Sequence, residues 1–226
     1  QMCISYTLSP VHTLDAFAEM AIKMKQMGAD SIAIKDMAGL LNPVDCVSLV
    51  KAITAKIDVP IQLHSHYTSG MASMTYYAGL EAGADIVDTA ISPLSMGTSQ
   101  PPTESLVAAL AGGVLDTGIK LENLVPVAEY FKKIREKYNS LIADIGGVDI
   151  NILRYQIPGG MYSNLVNQLK EQNALDKLED VMLEIPVVRK AMGYPPLVTP
   201  TSQIVGTQAT LNVLTGKRWK VIPKEV

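Results

Sequence analysis

The 226-residue chain has no excess of charge of either sign: 19 Lys and Arg stand against 22 Asp and Glu, a formal net charge of −3. Without a basic total or a basic run there is no electrostatic reason to expect DNA or RNA as a partner. Cysteine is nearly absent. Cys3 and Cys46 are too few for a disulfide scaffold and lack metal-type spacing, so a reducing compartment is expected. No apolar stretch approaches the ~18–20 uncharged residues of a membrane span, and the first residues carry no signal-peptide pattern, so the chain reads as cytoplasmic. What is there, 48% hydrophobic and 18% charged residues, is the composition of a folded globular protein and excludes a disordered tail, a collagen or a coiled-coil rod.

Four short apolar runs rich in β-branched residues recur near the start: Cys3–Thr7, Ser31–Lys35, Ile61–His64 and Asp85–Thr89. Stretches with helical spacing separate them, and counting from Ile4, Ile34, Leu63 and Val87 the intervals are 30, 29 and 24 residues. Gly28-Ala29-Asp30 precedes the second run and Gly83-Ala84-Asp85 opens the fourth. A glycine there stops a helix in the left-handed conformation before the chain enters the sheet. Asn42-Pro43 has the chemistry of an N-cap followed by a first-turn proline. Each unit predicts a parallel strand followed by a helix, and a period near 30 fits the (β/α)₈ barrel, whose ~250 residues give about 31 per unit.

Only four such units are present. After Ala90 the pattern turns helical, over about Leu121–Tyr138, Ser163–Leu175, Asp176–Met192 and Pro200–Thr215, with the polar, glycine-bearing segment Asp144–Asp149 after the first. The expected fold class is α/β, with residues 1–118 forming half of a TIM (β/α)₈ barrel and residues 119–226 a helical appendage. Four parallel strands leave two open edges, so a missing N-terminal barrel half is expected from the same polypeptide or another chain, and association is expected.

His64-Ser65-His66 is the strongest local signal. Side chains two apart on a strand share a face, so both imidazoles can converge on one ion; the alternative is a pair of hydrogen-bonded structural histidines. They stand at the C-terminal end of a strand, where barrel active sites are built. Lys35 ends the preceding strand. It is either an exposed surface residue or, if it points into the barrel beside a cation, an amine of lowered pKa available for chemistry. Asp36 reads as a turn or capping carboxylate, and Asp88 as a remote candidate for orienting a ligand. In Val198-Thr199-Pro200-Thr201-Ser202-Gln203, Thr199 followed by proline reads as an N-cap, although hydroxyls at a helix start also suit an anionic ligand. Pro158-Gly159-Gly160 reads as a turn. His12 reads as an ordinary loop residue.

Taken together, Ile34-Lys35-Asp36-Met37-Ala38-Gly39-Leu40-Leu41, His64-Ser65-His66-Tyr67-Thr68-Ser69-Gly70, Pro158-Gly159-Gly160 and Val198–Gly206 resemble the carboxyltransferase domain of biotin-dependent enzymes. That family includes pyruvate carboxylase, the transcarboxylase 5S subunit and the α subunit of the sodium-pumping oxaloacetate decarboxylase. The resemblance runs along essentially the whole chain and implies the second half of a TIM barrel, residues 1–118, followed by a helical funnel, residues 119–226. It implies His64 and His66 as ligands of a divalent metal, zinc suiting two imidazoles best, with Lys35 as a carboxylated lysine ligand. It further implies Thr199 as the proton-shuttling threonine and Ser202 as lining the pocket of biotin, which a separate carrier domain delivers. The implied reaction is carboxyl transfer between oxaloacetate and carrier-bound biotin, releasing pyruvate.

Tyr67 and the stretch Thr199–Gln208 resemble both the oxaloacetate decarboxylase α subunit and the separate B-type subunit of two-subunit pyruvate carboxylases; the decarboxylase is the reading taken, with the B-type subunit, carboxylating pyruvate, as the alternative. The first reading adds sodium-pump membrane subunits as partners and a place at the inner face of the membrane. Homo-oligomerisation is also expected. The family's remaining aspartate ligand and substrate-binding arginine fall in the absent half, so the chain alone is expected to be inactive. Two rivals stand beside this. In amidohydrolase barrels the histidine pair precedes the lysine, whereas here Lys35 precedes His64. A noncatalytic module docking a biotin carrier or pump subunit would leave the convergence of Lys35, His64 and His66 without a purpose.

Overall fold

A computed structural model describes residues 1–139 and 147–226. Of the segment Asp144–Asp149, residues 144–146 lie outside the described residues. Strands β1 (Met2–Ser5), β2 (Ile32–Asp36), β3 (Ile61–Ser65) and β4 (Ile86–Val87) form one parallel sheet in sequence order. Helices α1 (Leu14–Gln26), α2 (Pro43–Thr54) and α3 (Ala72–Glu81) connect them, so the strand–helix unit read from the sequence is what folds.

The local signals act as the chemistry requires. Thr13 caps α1 by accepting from Ala16 N–H at 3.2 Å, and Asn42 caps α2 by accepting from Asp45 N–H at 2.9 Å with Pro43 in the first turn. Gly28 and Gly83, at φ +95° and +109°, end α1 and α3 in the conformation that disfavours side chains.

Strand alternation then divides the sheet. Ile4, Ile32, Ile34, Ile61 and Leu63 are buried against the helices, where Phe17, Leu49, Ile53 and Tyr76 complete one core. Each such aliphatic chain contributes on the order of 1.5–3 kcal/mol by leaving water. The opposite face carries Cys3, Ser5, Lys35, Gln62 and His64. Among the described residues β1 and β4 each pair on one side only, which leaves the sheet open at both edges. β4 is shorter than the run Asp85–Thr89: it stops at Val87, and an isolated parallel bridge joins Ala90 to Pro102.

The rest of the chain is helical: α4 (Thr103–Leu110), α5 (Leu121–Lys137), α6 (Asn151–Tyr155), α7 (Gly159–Glu171), α8 (Leu178–Ala191) and α9 (Thr201–Leu214). Helix α5 packs on α4 and on the short turn Ser92–Leu94, whereas α7, α8 and α9 share a second core built on Leu165, Leu169, Val181, Ile185, Val188 and Val205. Buried Arg189 of α8 ties this second core to the sheet, donating to Thr7 Oγ1 at 2.6 Å and Leu8 O at 3.1 Å. Among the described residues no helix is long and apolar enough to cross a membrane.

Candidate active site

Lys35 and His64 are registered partners on adjacent parallel strands, so their side chains leave the sheet on the same face near its carboxyl end. His66 follows β3 directly, with its N–H donating to Asp36 O at 3.1 Å. The two imidazole rings lie 5.3 Å apart, centre to centre, at 72°.

Hydrogen bonding fixes which nitrogen of each ring is available. His66 Nδ1 is 2.5 Å from Thr98 O, and a carbonyl only accepts, so Nδ1 carries the hydrogen and Nε2 holds the lone pair. Burial pushes the His66 pKa down, and the neighbouring His64 and Lys35 act in the same direction, so the neutral form is favoured. His64 Nδ1 is 2.7 Å from Asp88 Oδ2, and Asp88 Oδ1 accepts from Gln62 Nε2 at 2.7 Å. In the neutral ring the carboxylate takes the Nδ1 hydrogen of His64, which puts the lone pair on Nε2, 3.5 Å from Gln100 Nε2.

Both rings therefore offer Nε2, each oriented through Nδ1 by an oxygen acceptor, which is the donor state that a divalent cation of zinc's kind requires. Two imidazoles alone are fewer than a four-coordinate ion takes. Among the described residues no group of three His, Cys, Asp or Glu side chains could hold a metal.

The loop after β2 is locked beside this pair. Asp36 is fully buried, accepting from Leu40 N–H at 2.9 Å, Leu41 N–H at 2.8 Å and Ser65 Oγ at 2.9 Å, while burial raises its pKa. Its role is the turn-closing one that its position after the strand suggested. Gly39, at φ +70°, brings the loop so close to the end of β3 that an added Cβ would stand 2.7 Å from His66 O. Thr68 Oγ1 donates to Ala38 O at 3.0 Å and Ser69 Oγ to Gly39 O, so the two strand ends behave as one unit.

A cleft of about 420 Å³ opens between this unit and the helical half. Met37, His66, Thr98, Gly159, Thr199 and Ser202 all line it, so the four separated sequence motifs meet in one place. Among the described residues no Asp, Glu, Lys or Arg lines it. The turn reading of Pro158-Gly159-Gly160 is corrected: Gly159 and Gly160 begin α7 and form part of the wall.

Thr199 does not cap α9, in contrast to the N-cap reading. The helix starts at Thr201, Pro200 occupies the cap position, and no side chain makes a cap hydrogen bond. Thr201 takes the local bonds instead, its Oγ1 donating to Pro196 O at 2.5 Å and Val198 O at 2.7 Å. Thr199 is exposed to the cleft, and Ser202 lies one helical turn further on.

Asp88, read from the sequence only as remote, anchors His64, and neither Thr98 nor Gln100, whose Nε2 lies 3.5 Å from His64 Nε2, was anticipated. Asp88 had a weak signal, a carboxylate within the fourth apolar run. Thr98 had none, because it acts through its backbone carbonyl.

Comparison with known proteins places this arrangement. A family model described as HMGL-like matches residues 4–130, and one described as a conserved carboxylase domain matches residues 152–226. The B-type subunit of pyruvate carboxylase from Methanocaldococcus jannaschii is 61% identical over 227 residues, covering 100% of this chain and 40% of the relative. The 2-oxoglutarate carboxylase large subunit of Hydrogenobacter thermophilus is 46% identical over 225 residues, covering 99% of this chain and 34% of the relative. The solved carboxyl transferase domain from Rhizobium etli pyruvate carboxylase with pyruvate and biocytin matches at a TM-score of 0.91 and 31% identity, over 99% of this chain and 40% of that one. The chain thus spans less than half the length of these relatives.

Proposed function

The chain belongs to the HMGL-like family, with a conserved carboxylase domain after it, and on that premise we propose that it carries the carboxyltransferase site of a biotin-dependent pyruvate carboxylase. The observation that carries this reading is the cleft that joins His66, at the end of β3, to Thr199 and Ser202 of the helical half. The names of the similar proteins support the alternative of a B-type pyruvate carboxylase subunit over oxaloacetate decarboxylase, and lend no support to sodium-pump subunits. Pyruvate is then the acceptor, and carboxybiotin on a carrier domain the donor.

His64 and His66, with Lys35 as its carbamate, would hold a divalent metal, zinc being suited to two imidazoles. When bound, the ion supplies positive charge against oxygen that becomes anionic as pyruvate enolises. The protein's own residues do the rest. Asp88 and Thr98 O orient the two rings through Nδ1, so that in the neutral rings Nε2 is the nitrogen left to the ion. The cleft, with no charged side chain among its described lining residues, suits a neutral ring system. Thr199 Oγ takes the proton that leaves the pyruvate methyl carbon and gives its own to the biotin ring nitrogen as the N–CO₂ bond breaks; the enolate carbon bonds to the released CO₂ to give oxaloacetate, and the threonine hydroxyl is restored at the end of each transfer. Ser202 positions the biotin ring beside it.

The open edge of β1 is where we infer that the other barrel strands pair, completing the metal's ligands and the substrate's anion site. The test is carboxyl transfer by the full-length protein with its carboxybiotinylated carrier. Oxaloacetate formation from pyruvate, lost in Thr199→Ala, is expected; a carrier discharged by 2-oxoglutarate or propionyl-CoA but not by pyruvate would overturn the assignment.

A further inference from the structure

A second cavity, of about 310 Å³, lies where the loop after β1 meets the helical half, and it shares no lining residue with the cleft. Arg154 and Arg189 line it together with Ser9, Tyr155, Gln156 and Tyr194, and among the described residues no Asp or Glu does. Arg189 is only 6% exposed. Its Nε donates to Pro195 O at 3.0 Å, its Nη1 to Gln156 Oε1 at 2.9 Å, and its Nη2 to Thr7 Oγ1 at 2.6 Å and Leu8 O at 3.1 Å.

All four acceptors are neutral, while a guanidinium has five N–H groups and a full positive charge. Among the described residues no carboxylate forms an ion pair with it. Arg189 is thus hydrogen-bonded but not neutralised, and a buried charge without a counter-charge is unfavourable. Arg154 makes no hydrogen bond or ion pair among the described residues; it stacks on Tyr155, 4.9 Å from the ring centre, with its donors turned to no protein acceptor.

We propose that this cavity binds a small dianionic oxyanion, a dicarboxylate or a phosphate, between Arg154 and Arg189. Two cations and no acid call for two negative charges; the unengaged fork of Arg154 supplies the paired donors, while Arg189, with one N–H left after its four protein bonds, supplies chiefly its charge. The volume is at the lower end of small-molecule sites. Its occupant would have a short route to the cleft, because Pro195, whose carbonyl Arg189 holds, is four residues before Thr199. The site does not depend on the carboxyl-transfer reading.

Titration calorimetry of the full-length protein with inorganic phosphate and separately with succinate, at matched ionic strength, tests it. One saturable site per chain is expected for at least one probe, and which probe binds assigns the chemistry. Arg154→Ala should weaken binding about tenfold and Arg154→Glu should abolish it, since charge-assisted hydrogen bonds are among the strong ones. Both variants should keep the parent circular dichroism spectrum and melting temperature. Absence of saturable binding with either probe overturns the proposal, as does binding that survives Arg154→Glu unchanged. Pyruvate carboxylation on the same preparations reports separately on the catalytic reading.

Discussion

Asp88 Oδ2 stands 2.7 Å from His64 Nδ1, and through that contact the residue just past β4 decides which nitrogen of a β3 histidine is free. Thr98 O does the same for His66 from the loop beyond. A pair of imidazoles two residues apart would otherwise be free to take either tautomer. Here two neighbouring segments select the same one for both neutral rings, which aims both Nε2 atoms away from their anchors near the carboxyl end of the sheet.

Removing the carboxylate should therefore weaken metal binding without unfolding the sheet. Asp88→Ala is expected to lower metal affinity and carboxyl-transfer activity by about 10–100-fold, the range typical for partners that orient metal-bound histidines. Metal content after dialysis against a graded chelator series measures it. Parent-like retention in the variant would show that Asp88 does not orient His64.

How much of this was legible in the sequence follows from physics of range. The βα units were, because alternation and glycine stops act within a few residues, and Gly28 and Gly83 do end their helices. The approach of His64 and His66 was too, because spacing by two in extended backbone puts both on one side, and their rings do lie 5.3 Å apart. The partnership of Asp88 with His64 spans 24 residues and depends on where β4 stops, which strand propensity does not fix. Helices α4 and α6 went unread, since 8 and 5 residues are too short for a helical period to stand out. Thr199 resembled a cap because threonine before proline usually is one; the helix begins two residues later, and the hydroxyl of Thr201 takes the local bonds.

That last difference separates two neighbouring threonines by experiment. Thr199→Ala should leave the melting temperature unchanged while cutting kcat by about 10²–10⁴-fold, the range for a positioned acid–base group. Thr201→Val should do the reverse, destabilising by on the order of 1 kcal/mol or more through lost hydrogen bonds to Pro196 O and Val198 O. Thermal melts beside single-turnover rates make the comparison. Equal destabilisation by both would restore a capping role to Thr199.

Gly39→Ala probes the lock between the β2 and β3 loops. The new Cβ would meet His66 O at 2.7 Å in a backbone conformation of φ +70°, so the loop must move or the strand end must. A cost of about 1–3 kcal/mol is expected from crowding of this kind. Because the displaced atom belongs to His66, metal affinity should fall with stability. Chemical denaturation paired with metal titration would detect both, and an unperturbed pair of values would mean the loops are not coupled.

Glu184 provides a pH test in the helical half, remote from the cleft. It is buried on α8, receives Arg218 Nε and Nη2, each at 2.8 Å, and Asn212 Nδ2 at 3.0 Å, and so ties the C-terminal segment to α8 and α9. The Arg218 hydrogen bonds hold its carboxyl below the usual glutamate value of 4.5, against the opposing effect of burial. A folded-state pKa below the unfolded one means that the unfolded chain takes up the proton first as pH falls. The stabilisation is therefore complete above about pH 4.5 and disappears as pH drops through the lower folded value. Glu184→Gln should melt earlier than the parent at neutral pH, and the gap between the two should close as the buffer is taken below that window. A gap that stays constant down to the acid limit would show that the ionised carboxylate contributes nothing, leaving packing and the Asn212 contact to hold the segment.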